Sequence, residues 1–71
     1  THDSRSTLTP REEQVLALLA RGLRNKEIAA KLGISPKSVM HHTGSIYRRL
    51  GVRGRIEAVA VATRMGLVEI E

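Results

Sequence analysis

Apolar residues along the chain gather into four clusters, each spaced for one face of a helix and each bounded by glycine or proline. Val15, Leu16, Leu18 and Leu19 form the first stripe. Ahead of it stands Thr9-Pro10-Arg11-Glu12. Thr9 is a cap, Pro10 fits the first helical position, and Glu12 can reach back to the Thr9 N–H to complete a capping box. Glu12 and Glu13 also suit the positive end of the helix dipole. Gly22 closes this first helix. Ile28, Ala29 and Leu32 mark a second, short helix, with Asn25 expected as its N-cap and Gly33 as its stop. Ser35-Pro36 opens a third, which carries Val39, Thr43, Ile46 and Leu50 on one side and ends at Gly51. A fourth runs from about Arg55 to Met65, before Gly66. Strand-like alternation is absent from the sequence. The expectation is an all-α fold, a compact four-helix domain.

The second and third helices, joined by about four residues that include Gly33, have the form of a helix-turn-helix. In its best-known use the second helix of such a unit enters the DNA major groove. At roughly 100° per residue, Lys37, His41, Gly44 and Arg48 fall opposite the apolar stripe of the third helix. Charged residues on a helix are usually just solvated, but here the charge has one sign. No acid occurs from Ser35 to Arg55. Gly44 costs about 1 kcal/mol relative to alanine within a helix, and it would let the backbone come close to a groove. This face is read as a DNA-contacting surface. Its candidate base or groove contacts are Lys37, His41, Gly44 and Arg48, with Ser38, Met40 and Ser45 beside them. Asn25 and Lys26 stand at a helix N-terminus, a natural phosphate site. Taken alone they are equally a cap and a solvated charge, and the neighbouring helix favours the phosphate role. Ser35 and Arg49 are the other candidate phosphate contacts.

His41-His42 does not make a metal site. Adjacent helical residues diverge by about 100°, and no Asp, Glu or Cys stands one turn away. His41 faces outward as a possible donor, and His42 is expected as a hydrogen-bonded packing residue at the edge of the buried side. Ser38, Thr43 and Ser45 share that helix with the histidines, without an orienting carboxylate, so no catalytic site is expected. The chain is not read as an enzyme, and no cofactor is expected.

The fourth helix is apolar nearly all round, a pattern that asks for burial on two sides. Ala58, Val61, Ala62 and Met65 are assigned to the core. Ile56, Val59, Ala60 and Thr63 are assigned to a partner subunit. The closing LVEIE is expected to fold back or fray.

Seventy-one residues suffice for one small domain, and the only aromatic is Tyr47, so the core must be aliphatic. Twelve Lys and Arg against seven Asp and Glu give a net charge of +5, which favours a polyanionic partner. Without cysteine there are neither disulfides nor thiolate metal sites. No apolar run reaches the ~18 residues of a membrane span, and no membrane partner is expected. Residues 1–7, THDSRST, are polar and aperiodic, and read as a linker or the tail of an upstream domain, leaving 8–71 as the domain itself. The opening on Thr rather than Met fits a piece cut from a longer protein.

Four strings of the sequence carry a resemblance. L-T-P-R-E at 8–12, N-K-E-I-A at 25–29, S-x-K-S-V at 35–39 and L-G-V followed by R-x-E-A at 55–58 together resemble the LuxR-type DNA-binding domain of bacterial transcription regulators. The resemblance covers residues 8 to about 67. It implies a four-helix output domain with recognition helix 36–50 and outward residues 40, 41 and 44 near the bases. It also implies a cytoplasmic setting, an upstream sensory or receiver domain, and a homodimer on double-stranded DNA that pairs through the fourth helices. The family often carries lysine where Met40 stands and a larger polar or basic residue where Gly44 stands, so those base contacts do not transfer. A sigma-factor region 4 is a rival with three similar helices, but the fourth helix with R-x-E-A and two apolar faces argues against it. A helical adaptor docking through the fourth helix is the other rival.

Overall fold

The computed structural model describes residues 8–64 and 66. The expected tail and upstream segment, at 67–71 and 1–7, and Met65, expected in the core, lie outside the described residues. Four helices follow one another: α1 (Pro10–Ala20), α2 (Asn25–Leu32), α3 (Pro36–Leu50) and α4 (Arg55–Arg64). Among the described residues no strand occurs, and no helix is long and apolar enough to cross a membrane.

The start of α1 forms as its sequence dictates. The Glu12 N–H donates to Thr9 Oγ1 at 3.1 Å, and the Thr9 N–H donates to Glu12 Oε1 at 2.9 Å, so two donors left over by the helix end are satisfied reciprocally. At α2 the N-cap is Arg24, one residue before the expected Asn25, which becomes the first helical residue. The Arg24 N–H donates to Glu27 Oε1 at 2.8 Å. Only this half of a capping box can form, because a guanidinium has no acceptor. The register is therefore set by the carboxylate at the third position rather than by the capping side chain.

The third helix is bracketed by two glycines in the left-handed region, Gly33 at φ 70° and Gly51 at φ 69°. That conformation is strained for residues with a Cβ, so both ends of the connection around α3 are fixed by residue type. Ser35 caps it through Oγ, which accepts from the Ser38 N–H at 3.0 Å.

Val15, Leu16, Ile28, Val39 and Ile46 are wholly buried and bring α1, α2 and α3 onto one core. α3 packs most extensively, against both α1 and α2, and α4 lies across α1 and α3. Ala58 and Ala62 of α4 are wholly buried, and their small side chains let the helix come close. Val61 is half-buried. Ile56, Ala60 and Thr63 are exposed, Ile56 to 85%. Val59 departs from its expected place on the outer face: it is half-buried and packs against the domain's own core. An exposed apolar strip thus remains on α4, narrower than expected.

Candidate nucleic-acid interface

α3 carries the candidate surface because its other side is used for folding. Val39, Thr43 and Ile46 are buried at successive turns. Lys37, Met40, His41 and Arg48 are exposed, and Gly44 is half-exposed among them. Met40 is 60% exposed. A Cβ built on Gly44 would stand 3.8 Å from Arg48 Nη1, so the guanidinium folds back along the helix over the glycine. Tyr47 is half-buried and packs on the core at the flank beyond Met40. Thr43 satisfies its buried hydroxyl by donating to the Met40 carbonyl at 2.9 Å.

The serines at the start of α3 are locked to one another. Besides accepting from the Ser38 N–H, the Ser35 hydroxyl donates to Ser38 Oγ at 3.0 Å. Ser38 is left with its own hydroxyl hydrogen to offer outward. His41 and His42 sit edge to face, their ring centroids 6.0 Å apart. The hydrogen bond expected of His42 is not formed among the described residues. At α2, Lys26 is exposed and Asn25 half-buried, beside the Glu27 carboxylate that occupies the Arg24 N–H.

The flank of α3 that faces α1 holds what the sequence reading missed. Glu12 is buried at 3% exposure, and Arg49 Nε lies 3.3 Å from its Oε1. The Ser45 hydroxyl also lies close to this carboxylate and favours its charged form. Burial alone would raise the Glu12 carboxyl, but the Thr9 N–H, the Ser45 hydroxyl and the Arg49 guanidinium together hold it below its ordinary value. Ser45 and Arg49, both expected at DNA, therefore also tie α3 to the start of α1. A second long-range tie joins α4 to the end of α1 and the loop after it: Arg55 Nη2 donates to Leu23 O in the loop at 2.7 Å and to Leu19 O in α1 at 3.3 Å. Local spacing carries no signal for either contact.

The family model for bacterial regulatory proteins of the luxR family matches residues 6–62 of this chain. The chain belongs to the LuxR family of bacterial regulatory proteins. It is similar to spore germination protein GerE of Bacillus subtilis, 43% identical over 67 residues that cover 94% of this chain and 90% of that protein. Its fold is similar to that of a solved structure of the transcription factor GerE, with a TM-score of 0.84 at 36% identity, covering 90% of this chain and 96% of the other. The response regulator ChrA of a heme-sensing two-component system has a TM-score of 0.81 at 42% identity, and there the match spans 84% of this chain but only 30% of ChrA. This LuxR-type domain thus corresponds to nearly the whole of one relative and to under a third of another. With the family comes the class of function, a helix-turn-helix DNA-binding domain of transcription regulators.

Proposed function

We propose that this LuxR-type domain reads duplex DNA by laying α3 in the major groove. Lys37, His41 and Arg48 approach groove edges, with Ser38, Met40 and Gly44 beside them. Asn25 and Lys26 at α2, with Ser35 and Arg49, meet the phosphates. Ser45 belongs at the groove margin, close to the Glu12 carboxylate. The observation that carries this reading is the face of α3 opposite Val39, Thr43 and Ile46, where exposed cations stand without any acid. Such a face is complementary to phosphate and to the acceptor-rich edge of guanine.

Two copies pair on DNA through the exposed strip of Ile56, Ala60 and Thr63, with the rim of Val59 alongside. The isolated domain is then a monomer or a weak dimer. In a longer protein, a receiver or other signalling domain stands upstream of residue 8 and controls this pairing, as fits the small share of ChrA that the chain matches. The setting is cytoplasmic, where bacterial DNA is read.

The test is a salt titration of affinity for duplex DNA. Lys37→Ala and Arg48→Ala should each weaken binding and flatten its salt dependence by about one charge. Wild-type affinity and slope in both variants would move the interface off this face.

A further inference from the structure

The ion pair between Glu12 and Arg49 joins two side chains of unequal exposure. That of Glu12 is 5% exposed, while that of Arg49 is 44% exposed. A contact serving only to staple α1 to α3 needs no such opening. A guanidinium carries five donors in a rigid fork, and that of Arg49 is open to solvent while its Nε holds Glu12. Arg49 stands one residue from Arg48, on the α1 flank of the groove-facing side, with Ser45 one turn earlier near the same carboxylate.

We infer that Glu12 is a positioning residue for DNA binding: it fixes the Arg49 guanidinium beside the groove so that Arg49 meets a backbone phosphate already ordered. This inference rests on the DNA reading proposed above. An arginine on an open helix face must be immobilised when it binds. The freedom lost by one long side chain is worth about two- to tenfold in affinity. Glu12 removes that cost in advance. Because the acid is buried and answered by the Thr9 N–H and the Arg49 Nε, it acts on the arginine at contact distance rather than on the duplex at long range.

The experiment is a double-mutant cycle on the 71-residue chain with Glu12→Gln, Arg49→Ala and the pair. Fluorescence anisotropy on a duplex selected from a random pool would be read across a salt series, with a thermal melt of each variant. Glutamine keeps the acceptor that the Thr9 cap needs. Arg49→Ala should lower the salt slope by about one charge. Glu12→Gln should weaken binding about two- to tenfold, and should do nothing further once Arg49 is gone.

A lower melting midpoint with unchanged affinity, tighter binding, or equal losses with and without Arg49 would each overturn the inference. If Glu12→Gln fails to fold, Arg49→Lys decides. It keeps the charge but lacks the fork, so it should keep the wild-type salt slope yet bind more weakly than wild type, and wild-type binding would overturn the proposal. If the wild-type chain bound no duplex at all, the DNA reading would fall and take this inference with it. An indifferent Glu12→Gln would remove the inference alone.

Discussion

Arg55 offers a measurable test of how α4 is held. Its Nη2 donates to the carbonyls of Leu23 and Leu19, 32 and 36 residues back along the chain. The last carbonyls of a helix have no partner within it, and α1 carries no basic residue in its own last turn. Arg55 supplies a cation there from another helix, sharing Leu19 O with the Gly22 N–H and reaching Leu23 O in the loop beyond. Hydrogen bonds from a charged donor contribute about 1.5–3 kcal/mol. The contact is only part-buried, which favours the lower half of that range, about 2 kcal/mol. For a domain of 60–100 residues, each kcal/mol moves the melting midpoint by roughly 4–8 °C. Arg55→Ala should therefore melt about 8–16 °C below wild type, and should show a matching loss in urea unfolding followed by circular dichroism. Arg55→Lys keeps the charge with a single ammonium and should fall between. A loss below about 0.5 kcal/mol for Arg55→Ala, the range of an ordinary surface substitution, would refute the assignment of the tether.

The exposed strip on α4 yields a second expectation. Ala60→Glu places a charge at its centre, so half-site binding should persist while cooperative occupation of a paired site disappears in a gel-shift titration; unchanged cooperativity would place the contact elsewhere. Met40, 60% exposed beside His41, lacks a strong donor and suits the thymine methyl. Matched sites carrying thymine or uracil at the facing step should differ by about 1 kcal/mol. Equal affinity for both, with base preference untouched in Met40→Lys, would reduce Met40 to packing.

The features legible in the sequence are those written within one helical turn. Thr9-Pro10 and Ser35-Pro36 fix two helix starts, and Gly33 and Gly51 fix two ends, because capping and left-handed backbone are decided by adjacent residues. The start of α2 moved by one residue for an equally local reason. Glu27 satisfies the N–H of whatever residue stands three places earlier, and here that is Arg24. Val59 is covered further than its wheel position suggests, because a helical wheel gives direction but not the width of the neighbour alongside. The roles of Glu12, Ser45 and Arg55 in tying helices together were out of reach for another reason. Each depends on a partner distant in sequence, and spacing says nothing about which distant helix will be near. The outward face of α3 was legible because it is the complement of a buried face, and burial is what periodicity encodes.

The division of α3 into two sides bears on how a regulator of this kind acquires a new operator. Its buried positions, Val39, Thr43 and Ile46, are not the ones turned outward at 37, 40, 41, 44 and 48. Exchange of an exposed residue away from caps and networks usually alters stability by less than about 0.5 kcal/mol. Even Gly44 has room for a methyl group, at ordinary contact distance from Arg48. If those outward positions read bases as proposed, mutations that change which bases are preferred can accumulate without first unfolding the domain. The tolerance stops at the α1 flank, where Arg49 and Ser45 answer a buried carboxylate. Lineages that diverge in target sequence should vary freely along one edge of this helix and stay constrained along the other.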